Sequence, residues 1–321
     1  MTLSIIIPMH NGEKFIKRCL DSLMRQTVLV DEVIIVNDHS TDNSKELCIE
    51  YCNKYNNVIY VEAEKCGVSA ARNTGLNIAT GDIIGFCDID DLKIMNMAEV
   101  VKKTYEKNPF LKIVISGYQK VDSEDISQIL GDYTCSNTDH WKKKDYLKHT
   151  IYDENIFGLV TNKYFSSNLI HNVKFDESLS LCEDMDFVLR AMLLCNENEI
   201  KVIDSITYQY SFNLNSVTND ETKLFSEGHS ELKYNEAFFK MANNEELSTD
   251  IKEYLYYKAF CFSVAIVSYY DVNDKREYLL KKHIRELYPL YIKFFWLEPV
   301  SNFKRGIKCL FRIRRGRLFR W

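Results

Sequence analysis

The chain has 321 residues, of which 46% are hydrophobic and 27% are charged, and its formal net charge is -5. This composition is ordinary for a folded globular protein and argues against an intrinsically disordered chain. The small acidic excess also argues against a protein that binds nucleic acid generally. Ten cysteines occur without a Cys-x-x-Cys pair, so reduced thiols in a cytosolic protein are expected.

The N-terminal part of the chain alternates short β-branched runs with helical patterns. The predicted strands span residues 3–8, 33–36, 58–61 and 83–87, and the predicted helices between them span 12–26, 43–55 and 69–79. Strands separated by helices of this length form βαβ units. The sequence therefore predicts an α/β fold with a mostly parallel central sheet flanked by helices.

The pattern becomes less regular after residue 110 and mostly helical after residue 222. Strands are predicted at 113–118 and 201–210, and helices at 142–152 and 185–194. We expect an α/β domain over residues 1–220, a helical region over 221–302 and a basic tail over 303–321. The longest apolar stretch, 259–270, is shorter than the roughly 20 residues of a membrane span, so the body of the protein is expected to be soluble.

Polar clusters follow three of the predicted strands. They are His10-Asn11, Asn37-Asp38 and the run Asp88-Ile89-Asp90-Asp91. In parallel sheets, ligands bind beyond the carboxyl ends of the strands, so these clusters should meet at one edge. Asp88 and Asp90 would then lie close enough to hold a hard cation such as Mg²⁺ or Mn²⁺. Aspartates that merely cap a loop give the same pattern, and Asp-x-Asp alone is a weak signal.

Two other acidic sites allow a structural and a functional interpretation. In the structural interpretation, Asp38 is a residue type that is common in turns between a strand and a helix. In the functional interpretation, it accepts hydrogen bonds from a nucleobase or ribose. Glu183 and Asp184 open a predicted helix, where the helix dipole favours acids. One of these carboxylates could instead take the proton of a hydroxyl group as a general base, with a pKa raised by its neighbour.

Taken together, these residues resemble the family 2 glycosyltransferases, which have the nucleotide-binding GT-A fold. The matching segments are Ser4 to Asn11, Val33 to Asp42, Gly67 to Gly75, Gly81 to Asp91, and Asn162-Lys163 with Phe175-Asp176-Glu177 and Glu183 to Phe187. The likeness covers roughly residues 2–220. The order and spacing of the motifs make the resemblance specific, although each motif alone is not.

The resemblance implies an inverting enzyme and assigns roles to individual residues. It implies that the nucleoside or diphosphate of a nucleotide-sugar donor is contacted by Pro8, His10, Glu13, Asp38 and Arg72. Asp88 would lie on the sugar or ribose side, and Asp90 would ligate Mn²⁺ or Mg²⁺ with Asp88 as a second contact. Asp184 would be the catalytic base, supported by Glu183. The donor would most simply be a UDP-sugar, and the acceptor a hydroxyl of a glycan or lipid-linked oligosaccharide in surface polysaccharide (capsule) synthesis.

The chain departs from the family pattern at three places. His10 stands where the family often has tyrosine, and His39 replaces a usual glycine. Near residues 208–211 the family often has an arginine that contacts the diphosphate, and this chain has none there. Contact with the diphosphate is therefore expected from the metal, from Arg72 or from the C-terminal segment.

The C-terminal segment 303–321 is strongly basic and contains no acidic residue. Its cations are Lys304, Arg305, Lys308, Arg312, Arg314, Arg315, Arg317 and Arg320, with aromatic and aliphatic residues between them. This composition favours peripheral attachment to the cytoplasmic face of the membrane, where a lipid-linked acceptor would be found. A solvated tail or a contact between subunits is the alternative.

Two other functional classes stay open on the sequence. A sugar nucleotidyltransferase also combines an α/β sheet with acidic metal ligands, but residues 8–13 lack its glycine-rich, basic phosphate loop. A non-catalytic scaffold of a glycan-synthesis complex is the other class. The presence of Asp38, Asp90 and Asp184 together argues against it.

Overall fold

A computed structural model describes residues 1–153, 155, 158–212, 230–269 and 275–294. The chain divides into two compact units, Met1–Asn213 and Leu214–Trp321. The predicted basic tail, 303–321, lies outside the described residues.

The first unit contains a nine-stranded sheet and the helices that flank it. Its elements are β1 (Leu3–Met9), α1 (Ile16–Met24), β2 (Glu32–Asn37), α2 (Ser44–Lys54), β3 (Val58–Glu62), α3 (Val68–Ile78), β4 (Ile83–Phe86), β5 (Leu92–Lys93), α4 (Met97–Lys107), β6 (Ile113–Asp122), β7 (Ile129–Tyr133), α5 (Lys143–Tyr152), β8 (Lys163–Ser166), α6 (Ser167–Ile170), α7 (Glu183–Leu193) and β9 (Ile200–Phe212).

The strand order is β3-β2-β1-β4-β8-β6-β9-β5, with β7 paired to the outer part of β6. Strands β3, β2, β1 and β4 are all parallel, as are β6 and β9. Strand β8 is antiparallel to both of its neighbours, β4 and β6. The predicted α/β fold with its βαβ units is therefore confirmed, and β8 joins the two parallel parts of the sheet.

Strand β1 lies at the centre of the first unit and is buried along its whole length. Ile5 and Ile7 belong to the core that also contains the apolar face of α1. On the other face, Ile6 lies against Gly75 of α3, where an added Cβ would be only 2.4 Å from the Ile6 side chain. Because helices cover both faces, the strand is a continuous apolar run, and Gly75 allows the close approach of α3.

Helix α7 begins at Glu183, so Glu183 and Asp184 open the helix as predicted, and it follows Cys182 in the left-handed conformation (φ 60°). Its first turn contains Glu183, Asp184 and Asp186. Acids are favoured there because they lie beside the unpaired N–H groups of the helix start. The turn thus fixes Glu183 and Asp184 on rigid backbone.

The described part of the second unit is helical, in agreement with the sequence pattern. It comprises α8 (Ser230–Ala242), α9 (Thr249–Tyr269) and α10 (Lys275–Phe294). Aromatic side chains of α9 pack on those of α10, with ring centroids 5.4 Å apart for Tyr254 and Phe294 and 5.3 Å apart for Phe260 and Tyr291. None of the helices in the described ranges is both long enough and apolar enough to span a bilayer.

Candidate active site

The polar clusters after β1, β2 and β4 lie side by side at the carboxyl edge of the sheet. Met9 pairs with Asn37, and Ile6 pairs with Phe86, so the three strands end at neighbouring positions. The backbone N–H of Asp38 donates to the carbonyl of Met9 over 2.7 Å, and Nδ1 of His10 donates to the carbonyl of Asp38 over 2.6 Å. The arrangement follows from parallel pairing, in which all carboxyl ends face the same way.

Asp38 is held by the start of helix α3. Both of its carboxylate oxygens accept the backbone N–H of Gly67, at 3.0 and 2.9 Å. Gly67 has φ 110°, a conformation that glycine adopts without steric cost. Strand β2 and helix α3 therefore fix the Asp38 carboxylate from two sides.

Two other residues of the predicted donor site lie nearby in the chain and are well anchored. Pro8 is buried within β1. The exposed carboxylate of Glu13 accepts hydrogen bonds from the Asn43 side chain (2.8 Å) and from the Asn43 backbone (3.3 Å). Glu13 thus contacts the residue that precedes α2, and its predicted role toward the donor stays a prediction.

Arg72 of helix α3 connects the metal motif to the predicted catalytic acids. Its guanidinium group lies 3.0 Å from Asp88, 2.9 Å from Glu183 and 2.5 Å from Asp184. The Arg72 side chain is only 3% exposed. Burial works against its charge, but the surrounding carboxylates outweigh burial and raise the pKa of Arg72 above its ordinary value. One buried cation therefore gathers three carboxylates that are distant in sequence.

Asp184 combines burial with a crowded electrostatic environment. Its second carboxylate oxygen accepts the backbone N–H of Val160 over 3.2 Å. Burial raises the pKa of Asp184 to about 7, against the opposing effect of Arg72 and with further upward contributions from Glu183 and Asp88. A carboxylate with a pKa near neutrality is suited to accept a proton, because it is a stronger base than a free aspartate and a substantial fraction of it is still ionised near pH 7.

The acidic run after β4 divides into two parts. Asp88 and Asp90 open to solvent, and the pKa of Asp90 is raised to about 6 by partial desolvation and by the Asp88 charge. A divalent cation between these oxygens would relieve that repulsion, so the pair fits a Mg²⁺ or Mn²⁺ site. Asp91 is buried instead, and accepts hydrogen bonds from the Tyr208 hydroxyl and, over 2.6 Å, from the Ser211 N–H.

An aromatic cluster packs between the helix that contains Arg72 and the helix that begins with Glu183 and Asp184. Phe187, in the first half of α7, stacks on Phe175 with ring centroids 4.0 Å apart, and Phe175 also lies 5.3 Å from the Arg72 guanidinium carbon. The Asn73 side chain holds Phe175 in place by hydrogen bonds to its N–H (2.8 Å) and carbonyl (3.0 Å). The motif around Arg72 and the motif around Asp184 therefore form one packed unit.

Two buried lysines belong to the site although the sequence pattern gave them no role. Lys163 donates to the Leu159 carbonyl (2.8 Å), and Lys93 donates to the Thr161 carbonyl (2.5 Å). Burial lowers the pKa of Lys163 to about 7 and that of Lys93 to about 8. Both lysines thus hold the segment that precedes β8, and this segment includes Val160, the hydrogen-bond donor to Asp184. The sequence feature that could have indicated these buried lysines is a lysine within a strand whose other residues are mostly apolar.

Known proteins resemble this chain in sequence and fold. Residues 4–170 match the family model described as glycosyl transferase family 2. EpsJ of Bacillus subtilis, described as an uncharacterized glycosyltransferase, is 32% identical over 235 residues, which are 72% of this chain and 67% of that protein. The poly(ribitol-phosphate) beta-glucosyltransferase of Bacillus spizizenii is 29% identical over 218 residues, which are 66% of this chain and 32% of that protein.

A solved structure has the same architecture. The structure of S. aureus TarS 1-349 in complex with UDP-GlcNAc has a TM-score of 0.65 and 17% identity, and the match covers 98% of this chain and 92% of that one. The sheet topology, together with this likeness, shows a GT-A-type fold. The chain belongs to glycosyl transferase family 2, since the family model and the relative EpsJ both match most of its first unit. This membership decides against a nucleotidyltransferase and against a non-catalytic scaffold.

Proposed function

We propose that this glycosyltransferase moves a sugar from a UDP-sugar to a hydroxyl group of a glycan or lipid-linked acceptor, with inversion at the anomeric carbon. The observation that carries the proposal is the Arg72 guanidinium, which contacts Asp88, Glu183 and Asp184 at once. These contacts bring the metal motif and the base candidate to one point. Such proximity is what a displacement needs, because the leaving diphosphate and the attacking hydroxyl lie on opposite sides of one carbon atom.

In the proposed step Asp184 takes the proton of the acceptor hydroxyl. The hydroxyl oxygen forms a bond to the anomeric carbon while the bond from that carbon to the diphosphate oxygen breaks. UDP leaves with the bonding electron pair, and the configuration at the carbon is inverted. Burial raises the pKa of Asp184 to about 7, which gives the carboxylate the basicity that proton transfer requires. Glu183 shares the Arg72 contact and helps to fix the orientation of that cation.

Asp90 and Asp88 are the proposed ligands of Mn²⁺ or Mg²⁺. When bound, the ion would neutralise negative charge on the diphosphate. The fit rests on two neighbouring carboxylates, of which Asp90 is exposed and Asp88 partly exposed, and on the pKa of Asp90, which desolvation and then the Asp88 charge raise to about 6. Arg72, which contacts Asp88, would add a fixed positive charge beside the bound metal ion.

The nucleoside is proposed to lie over the ends of β1 and β2, against Pro8, His10, Glu13 and Asp38. In support, the Asp38 carboxylate has a fixed position and the His10 ring beside it is exposed. The structural neighbour TarS was solved with UDP-GlcNAc, which favours uridine as the nucleoside. The sequence relative from Bacillus spizizenii acts on poly(ribitol-phosphate), which favours a cell-surface polymer as the product.

A turnover assay tests the proposed chemistry. UDP-, GDP- and dTDP-sugars are offered with Mg²⁺ or Mn²⁺, and nucleotide release is followed for the wild-type chain, Asp184→Asn and Asp186→Asn. Asp186 is the matched control because it lies in the same helical turn but pairs with Arg190. We expect Asp184→Asn to lower kcat by about 10²- to 10⁴-fold, while Asp186→Asn stays near the wild type. We also expect a chelator to abolish turnover and the metal to restore it.

The outcomes separate binding from chemistry. Calorimetric titration with UDP should give similar affinities for the wild type and Asp184→Asn, because Asp184 is proposed to act on the acceptor hydroxyl rather than to bind the nucleotide. Rapid turnover by Asp184→Asn would refute the assignment of the base. Full turnover in the presence of the chelator would refute the metal site at Asp88 and Asp90, and release from a GDP- or dTDP-sugar alone would refute the uridine donor.

The basic segment 303–321 is the proposed attachment to the cytoplasmic face of the membrane. Its interleaved cations and aromatic residues support this, since each cation near an anionic surface contributes about 1 kcal/mol. Deletion of 303–321 should reduce binding to liposomes that contain anionic lipid and leave nucleotide release from a soluble donor unchanged. Undiminished liposome binding by the truncated chain would contradict the proposed membrane attachment.

A further inference from the structure

Three potential metal ligands meet in the loop after β2 and the loop before α3. Nδ1 of His39 lies 3.3 Å from a carboxylate oxygen of Asp38 and 3.6 Å from Sγ of Cys66. All three ligand atoms lie within 4.8 Å of one another. Half of the His39 side chain is exposed, and Cys66 is also exposed, so an ion can reach the cluster from solvent.

The distances agree with tetrahedral coordination of zinc. Zinc binds sulfur at about 2.3 Å and nitrogen or oxygen at about 2.0–2.1 Å, so the edges of the tetrahedron are about 3.6 Å between S and N and about 3.3 Å between N and O. The measured separations, 3.6 Å for Cys66 to His39 and 3.3 Å for His39 to Asp38, match these edges. An ion could therefore bind with little rearrangement of these two pairs.

The backbone holds the cluster in an unusual conformation. His39 has φ 56°, in the left-handed region that disfavours residues with a Cβ. Glycine would adopt this conformation without strain, yet the chain has a histidine there. Gly67, next to Cys66, also has a positive φ and donates its N–H to Asp38. The two loops thus present imidazole, thiol and carboxylate to one point at a cost in strain, which is typical of functional positions.

We propose that Asp38, His39 and Cys66 form a binding site for Zn²⁺, separate from the Mg²⁺ or Mn²⁺ site at Asp88 and Asp90. Thiolate and imidazole are the ligands that zinc prefers, whereas magnesium and manganese prefer oxygen, so the two sites select different ions. On binding, the Cys66 thiol loses its proton to solvent as the Zn–S bond forms. Water fills the fourth position.

The consequence for activity rests on the proposed function. Asp38 is the proposed nucleoside contact, so a zinc ion that occupies its carboxylate excludes the nucleoside of the donor. Zinc would then act as a competitive inhibitor with respect to the UDP-sugar. Magnesium would not reproduce the effect, because it lacks affinity for the thiol and imidazole pair.

Titration of the full chain with Co²⁺ and Zn²⁺ in excess Mg²⁺ tests the site directly. Co²⁺ is the optical probe, because a cobalt–thiolate bond gives a charge-transfer band that Zn²⁺ then displaces. We expect one Zn²⁺ per chain, with affinity reduced at least about tenfold in Cys66→Ser and in His39→Gly. Cys135→Ser is the matched control, a partly exposed cysteine outside the cluster, and should behave as the wild type.

A second titration, with UDP in the presence and absence of Zn²⁺, separates the two hypotheses. A zinc-dependent loss of UDP affinity that Cys66→Ser abolishes supports the site and its inhibitory role. Zinc binding that leaves UDP affinity unchanged supports the metal site and counts against Asp38 as the nucleoside contact. A Co²⁺ spectrum without the thiolate band, or zinc affinity equal in Cys66→Ser and the wild type, overturns the zinc site.

Discussion

Arg72 is a buried cation whose charge is needed by three carboxylates at once. Its replacement by methionine would keep most of the packing volume on Phe175 but leave Asp88, Glu183 and Asp184 without their shared partner. Removing one member of a buried ion pair typically costs about 3–5 kcal/mol. We therefore expect Arg72→Met to lower the free energy of unfolding of the first unit by about 3 kcal/mol in urea titrations.

Two variants make this expectation specific. Arg72→Lys retains the charge, but a single ammonium group cannot reproduce contacts made by two guanidinium nitrogens, so its stability should lie between those of the wild type and Arg72→Met. Arg25→Met removes a surface pair at the end of α1, Arg25 with Asp21, and should leave stability nearly unchanged. Equal stability of Arg72→Met and the wild type would show that the three carboxylates do not depend on Arg72.

At the scale of elements, the segment between α5 and β8 connects the catalytic helix to the sheet. Lys163 donates to the Leu159 carbonyl and to the Asn162 side chain, over 2.8 and 3.0 Å. Between these two residues, Val160 donates its N–H to Asp184. The position of the candidate base is therefore tied to a buried lysine through the backbone of the 159–162 segment.

Lys163→Met should destabilise the first unit in a pH-dependent way. Burial lowers the pKa of Lys163 to about 7, below the 10.5 of a free lysine. Between these values the unfolded chain binds a proton that the folded chain does not, so this lysine makes unfolding harder as pH rises. We expect a loss of about 1–3 kcal/mol at about pH 9, from the unsatisfied acceptors, and a smaller loss at about pH 7.

Urea titrations at both pH values measure this effect, with Lys65→Met as the control. Lys65 pairs with Glu177 at the surface, where its side chain is 71% exposed, so the control should not alter the pH dependence of stability. A destabilisation by Lys163→Met that is the same at both pH values would contradict the argument from burial. An unchanged stability would show that the 159–162 segment does not need the lysine.

Much of the fold could be predicted from local patterns, and much of the site could not. Strand β1 was predictable because burial on both faces makes it a continuous apolar run that ends in polar residues. Strand β5 has only two residues, and its formation depends on a strand that is distant in sequence, with Tyr208 opposite Lys93. The contact of Arg72 with Asp184, 112 positions away, follows from the packing of α3 and α7 rather than from any spacing.

The acidic run shows the same limit within a few residues. The sequence pattern predicts Asp88 and Asp90 as a pair of metal ligands. In the structure Asp90 is exposed, whereas Asp88 is partly exposed and pairs with the buried Arg72. Asp91 stands next to them but is buried beneath Tyr208 and Ser211. The pattern of aspartates alone could not separate these environments, because burial of Asp91 depends on the antiparallel pairing of β5 with β9.

For the whole molecule, the titration of Asp184 makes activity rise and stability fall over the same range of pH. The pKa of Asp184 is raised to about 7 in the folded chain, from an ordinary value of 3.8. Between about pH 4 and pH 7 the folded chain therefore binds a proton that the unfolded chain has lost. As pH rises through this range, the contribution of Asp184 to the free energy of unfolding falls, while the fraction of ionised base rises.

We expect kcat/KM of the wild-type chain to rise with pH and level off above about pH 7, because this ratio reports the base in the free enzyme. Over the same range, the unfolding free energy of Asp184→Asn should fall less steeply with pH than that of the wild type, since asparagine does not titrate. Initial rates with a UDP-sugar and urea titrations, both from about pH 5 to pH 8, measure the two curves. Equal pH slopes of stability in the two chains would show that Asp184 titrates at an ordinary value, and its proposed suitability as the base would then lose its electrostatic support.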